Sequence, residues 1–257
     1  MEFGAEVSIT YVMGGLARDY GPEGESPYSG NLEGLALHWL EVAEATRMPF
    51  DPRLWTEGPI ASTYPACLAL RAAAEQRGDR AYLRALREGL MCFRRKLDTR
   101  EALVEEARRA GLDVPRFRIA LDSHGTVEEF GNDLERTCTV PDGAPEDKIV
   151  DAGDGRKRVT FPTIELMGED GRAHWVFGYS PYEDLRDAAL AAGASPLGED
   201  APTVLDALKR FGRLATAEVE AVCNLPEPKA AAELWAMAAE WRVKPLRVLT
   251  GHLWEVA

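Results

Sequence analysis

The sequence predicts a mixed α/β protein in which a long helical block interrupts a small sheet and a distinct unit closes the chain. Three observations carry that prediction. Residues 7–13 (VSITYVM) alternate and are rich in β-branched side chains, as a strand requires, and strand character returns only at residues 159–166 (VTFPTIEL) and 173–177 (AHWVF). Between them, residues 32–139 hold one helical pattern after another. The last 57 residues carry seven bases and seven acids, so the net charge of −13 lies wholly in residues 1–200 of this 257-residue chain.

The first strand stops at Gly14-Gly15, and the Gly, Pro and Ser residues between Asp19 and Asn31 read as a loop. Leu35, His38, Trp39, Val42 and Ala43 then recur at helical spacing over residues 32–47, until Pro49 ends the helix. Residues 52–63 are irregular and include Trp55 and Pro59. Ser62 or Thr63 caps the next helix, Pro65 suits its first turn, and the Ala-rich run YPACLALRAAAEQRG stops at Gly78. Asp79 restarts a helix through Met91, Thr99 starts one that Gly111 closes, and residues 114–121 and 126–139 make two more. Residues 140–158, rich in Asp, Gly and Pro, read as a long loop. A turn at residues 168–171 joins two strands into a hairpin, and residues 182–192 form a short amphipathic helix. After a linker at residues 193–202, three short helices (203–211, 216–223 and 228–241) precede two strands (245–250 and 252–256) around Gly251. That is the order of a winged-helix domain. The domain boundaries expected are therefore 1–31 with 140–198, an insertion at 32–139, and 199–257.

Composition narrows the function. A surface this acidic repels phosphate, which argues against nucleic acid and anionic membranes as partners. No apolar run approaches the roughly 18–20 residues of a bilayer span, and no secretory pattern opens the chain, so a cytoplasmic protein is expected. Cys67, Cys92, Cys138 and Cys223 are too scattered for a disulfide framework, and none forms a CxxC pair. His38, His124, His174 and His252 lie outside ligand spacing, so neither a metal nor another cofactor is expected.

Each candidate residue has a plain structural alternative. Cys67 follows Pro65 near a helix start, where unpaired N–H groups would stabilise a thiolate; a buried small hydrophobe is the competing reading. The other three cysteines sit among apolar neighbours and read as core. His38 and Glu41 share a helical face, a weak hint of acid–base work beside an ordinary surface histidine. Trp39, Trp55 and Tyr64 line a groove or fill a core. The run from Gly153 to Arg158 has the glycines of a phosphate loop without the strand before and helix after, and reads as a solvated tip. In the tail, the 228–241 helix mixes Lys229 and Arg242 with Glu233 and Glu240, unlike a basic DNA-reading helix. Trp235, Met237 and Trp241 suit a protein contact better.

Several local sequences together resemble the DsbA-like thioredoxin-fold family. They are Gly14-Gly15-Leu16 after the strand, Ser62 to Cys67 entering an Ala-rich helix, Phe161-Pro162-Thr163, and Gly178 before a helix. Within that family the chain is similar over nearly its whole length to the adaptors that deliver the Spx regulator to the ClpXP protease. The segments 54–60 (LWTEGPI) and 178–182 (GYSPY) carry that likeness, as does the tail from Leu208 to Trp254. The resemblance implies a thioredoxin-like sheet with a helical insertion. It further implies a cis bond before Pro162, with Phe161, Pro162 and Thr163 flanking a groove for an extended client or peptide, and a protease as a further partner.

The family opens with a strand and a Cys-x-x-Cys helix, whereas Met1-Glu2-Phe3-Gly4 looks like the last turn of that helix. Three accounts stay open: a start placed too late, a chain in which residues 7–13 pair directly with 159–166, or a strand supplied by a partner. Two function classes follow. One is a non-catalytic adaptor without its own CxxC; the other is a thiol–disulfide oxidoreductase whose CxxC lies upstream, with Cys67 the only weak catalytic candidate within the chain.

Overall fold

Asn31 opens the first helix in the computed structural model: its side chain accepts from the Gly34 N–H, and α1 (Leu32–Thr46) runs to Arg47, which takes the left-handed conformation at φ 56°. The described residues are 3, 7–24, 28–152, 155–198 and 200–257. The short α2 (Leu54–Glu57), α3 (Tyr64–Ala74) and α4 (Asp79–Arg87) follow. Pro65 stands in the first turn of α3, and Gly78 precedes α4. Where the sequence predicts one helix to Met91, the last turn widens into a π-helical segment, Glu88–Cys92. Thr99 caps α5 (Arg100–Arg109), α6 (Val114–Leu121) comes next, and Ser123 caps α7 (His124–Thr137).

Residues 140–158 are not a plain loop. After a 3-10 turn at Glu146–Lys148, β1 (Ile149–Asp151) and β2 (Lys157–Val159) pair antiparallel. Strand 159–166 is also corrected: it breaks at residues 160–162 and resumes as β3 (Thr163–Met167), because proline offers no N–H to a ladder. β3 pairs antiparallel with β4 (Ala173–Phe177), and α8 (Tyr182–Ala191) follows. The tail holds α9 (Val204–Phe211), a two-residue β5 (Leu214–Ala215) that the sequence pattern does not reveal, α10 (Thr216–Cys223) and α11 (Glu227–Ala239). It ends in β6 (Val243–Val248) and β7 (Gly251–Val256), with sheet order β5-β7-β6.

Residues 7–13 form no strand, and they do not pair with residues 159–166: β3 has β4 as its one strand partner among the described residues. Alternation alone supplies no ladder. The Met13 N–H is satisfied instead by Asp133 Oδ2 at 2.9 Å. The reading of residues 1, 2 and 4 as the end of a helix lies outside the described residues, as do Gly153 and Asp154.

Two compact units result. One comprises residues 1–16 and 122–199 and contains α7, both small hairpins and α8. The other comprises residues 17–121 and 200–257, so the helical block from α1 to α6 and the tail form a single unit. Its aromatic core joins Tyr20, Trp39, Phe50 and Trp55, with ring centroids 5.0–5.5 Å apart in edge-on geometry. A second core in the tail centres on Leu208, Val219, Leu234 and Trp254. The β6–β7 sheet also covers the helical block, where Ala215, Val248 and Leu253 meet Met48, Cys92 and Phe93. No helix among the described residues is long and apolar enough to cross a membrane.

Candidate functional site

The β3–β4 hairpin has a parity that follows from two hydrogen bonds at its ends. Gly178 N–H donates to Pro162 O at 2.7 Å, and Gly168 N–H to Arg172 O at 2.9 Å. With Thr163 opposite Phe177 and Met167 opposite Ala173, Ile164 and Leu166 spend their backbone groups on β4. The N–H and C=O groups of Thr163, Glu165 and Met167 therefore face away from β4, along an edge that no strand covers among the described residues. Ile164 and Met167 are exposed beside that edge, at 41% and 59%.

The approach to this edge is built from Phe161, Pro162 and Thr163. The Phe161–Pro162 peptide bond is cis, and the Pro162 ring is exposed. Thr163 Oγ1 donates to Thr160 O at 2.6 Å and closes the turn. Gly178, which receives the Pro162 carbonyl, has φ 77°, a conformation glycine adopts without strain. The Phe161 ring meets two groups that sequence reasoning did not assign to the site. The Arg158 guanidinium stacks over one face, 4.2 Å from the centroid. Gly14 lies against the ring: a Cβ there would come within 2.2 Å of Cε2 and Cζ. The Gly-Gly pair was visible in the sequence, but its contact with residue 161 is non-local. Burial holds Arg158 below the ordinary guanidinium range, opposed by the nearby Cys138. On β3 itself, Glu165 is held by Arg136 of α7 at 2.6 Å. Trp175 and Phe177 stack in parallel on β4, 6.0 Å apart.

The remaining candidates lie elsewhere. Cys67 is on α3 in the other unit, and its N–H is already bonded to the carbonyl of the N-cap residue, Thr63, at 3.2 Å. Burial pushes the Cys92 thiol up to about 12, and its Sγ donates to Pro49 O. Burial likewise raises Cys223. His38 stacks on Tyr28 and lies 3.5 Å from Glu41. Trp39 and Trp55 are core residues, at 8% and 2% exposure. Among the described residues no group of three metal-ligating side chains converges. Residues 163–167 thus present main-chain donors and acceptors in strand geometry, with apolar side chains alongside.

Comparison with known proteins gives a family match and a set of named relatives. A family model described as thioredoxin matches residues 1–140, more than half of the chain. Three proteins named ClpXP adapter protein SpxH are similar over most of their length. That of Halalkalibacterium halodurans is 26% identical, covering 99% of this chain and 80% of its own. That of Bacillus subtilis is 25% identical, covering 86% and 71%. That of Shouchella clausii is 27% identical, covering 84% and 68%.

Proposed function

The chain belongs to the thioredoxin family, and from that premise we propose that it is a protease adaptor: it holds an extended segment of a protein client and presents it to ClpXP. Support for the adaptor role comes from the SpxH relatives, whose similarity runs past the family match into the tail. The single observation that carries the binding site is the uncovered β3 edge beginning at the exposed Pro162. A client strand would add to it through the backbone groups of Thr163, Glu165 and Met167, with Phe161 and Pro162 at its mouth and Ile164 beside it. The client expected from the relatives' name is an Spx-like regulator. We read residues 199–257 as a winged-helix-like domain used for protein contact rather than for nucleic acid. We read the chain as working in the cytoplasm, without a cofactor.

A reconstituted degradation assay tests both parts. ClpXP, an Spx-like regulator and this chain are combined, and loss of the regulator is followed with time. The chain should accelerate degradation. Glu165→Pro should abolish the acceleration, because it removes an outward N–H while leaving the β4 ladder intact, whereas Glu165→Ala should retain it. No acceleration by the unaltered chain would remove the adaptor reading. Acceleration that survives Glu165→Pro would remove the edge as its site.

A further inference from the structure

A second surface lies on the tail, where an aromatic array meets an exposed cation. Trp235 stands on α11 and is 49% exposed. Its ring meets His252 edge-on at 5.3 Å and Trp254 edge-on at 4.9 Å. Trp254 is 1% exposed, and its Nε1–H donates to Thr216 Oγ1 at 2.9 Å, so the platform under Trp235 is fixed. A half-exposed indole on a rigid base has little freedom left to lose on binding. Around it α11 presents Ala232, Ala236 and Ala239, all exposed, at positions −3, +1 and +4 from the indole. That spacing keeps one helical face shallow and apolar on both sides of Trp235.

The β6–β7 register adds charge to the same surface. Arg247 is paired with His252, so both side chains leave the sheet on the face that also carries Trp254. Arg247 is exposed, and among the described residues no carboxylate lies within ion-pair reach of it. Elsewhere on the tail, Glu255 is paired with Arg213 at 2.8 Å, Glu240 with Arg242 at 3.2 Å, and Glu220 and Glu227 with Arg47. Burial and the Arg247 charge hold His252 below the ordinary imidazole range, which leaves Arg247 as the cation beside the aromatic array. The tail carries equal numbers of bases and acids, so the acidity of residues 1–200 does not extend to it, and an exposed guanidinium there can be matched by a complementary anion.

We propose that the Trp235–His252–Arg247 surface is a docking site for an amphipathic helix of a partner protein that carries a carboxylate one turn from a large aliphatic side chain. The aliphatic group lies on Trp235 between the alanines, and the carboxylate pairs with the Arg247 guanidinium. This site is independent of the β3 edge.

The test uses the full chain and a fluorescein-labelled helical peptide with aspartate and leucine at i, i+4 spacing. Control peptides replace each aspartate by asparagine or each leucine by alanine. Anisotropy should report saturable binding that weakens about tenfold or more with either control, and with Trp235→Ala or Arg247→Gln in the protein. Trp235→Phe should restore part of the affinity, which separates a lost anchor from a disturbed fold. Glu165→Pro should leave binding unchanged. Equal affinity for the designed and control peptides, insensitivity to both protein substitutions, or tighter binding of a single-stranded oligonucleotide to the same residues would overturn the proposal.

Discussion

At the scale of single residues, several of the buried carboxylates among the described residues are met by guanidinium groups. Asp51 is 4% exposed. Its Oδ1 accepts from Arg53 Nε at 2.9 Å, its Oδ2 from Arg53 Nη2 at 2.6 Å, and Arg94 Nε lies 3.3 Å away. The hydrogen bonds from Arg53 lower the Asp51 pKa, outweighing the burial that would raise it. A folded-state value below the unfolded one stabilises the protein above the unfolded pKa, and that contribution disappears as pH falls below about 4. Asp51→Asn keeps the shape and removes the charge. Urea unfolding between neutral and acid pH should therefore show a shallower acid limb for the variant, with a loss of about 1–2 kcal/mol at pH 7. Parallel pH profiles for the two proteins would show that the carboxylate makes no such contribution. Glu106, at 1% exposure, is likewise met by two guanidinium groups, those of Arg95 and Arg109.

At the scale of elements, the β3 edge yields a prediction that depends on residue parity alone. The amides of Ile164 and Leu166 bond to β4, while those of Thr163, Glu165 and Met167 face outward. Amide exchange followed by NMR should show an alternating pattern along β3, slow at 164 and 166 and fast at 163, 165 and 167. Addition of a bound client should slow the fast set. Uniform protection before any client is added would mean that the edge is already covered. Helices were the legible part of the sequence because their signals are local: Asn31, Thr99, Ser123 and Thr203 each cap the helix that follows them. Strands were less legible because a ladder needs a distant partner. Residues 7–13 alternate without finding one, while β1 and β2 pair within a segment whose Asp and Gly content reads as loop. For the site, Phe161, Pro162 and Thr163 were accessible only through resemblance. The contact of Phe161 with Gly14 is a tertiary fact that no local pattern encodes.

At the scale of the whole molecule, the tail is tied into the unit it shares with the helical block by charge as well as by apolar contact. Arg84 on α4 donates to Glu218 Oε2 on α10 at 2.8 Å and to Glu88 Oε1 at 2.6 Å. Arg213 returns to Glu88 at 2.7 Å and to Glu255 at 2.8 Å. Glu88 sits in the π-helical segment, so the widened turn places one carboxylate between two guanidinium groups from different parts of the chain. A second tie joins Arg47, just past α1, to Glu220. These groups are one-tenth to one-third exposed at the Arg84–Glu88–Arg213 centre, so water screens them only in part. The helical block and tail should accordingly unfold together, and a double-mutant cycle measures the coupling. Arg84→Met and Glu218→Met should each destabilise the protein. The double variant should recover about 1–2 kcal/mol relative to the sum of the two, and the recovered part should shrink as salt is raised. Additive single effects would reduce the cluster to surface decoration, and separate transitions for the tail and the helical block would show that apolar contact alone does not join them.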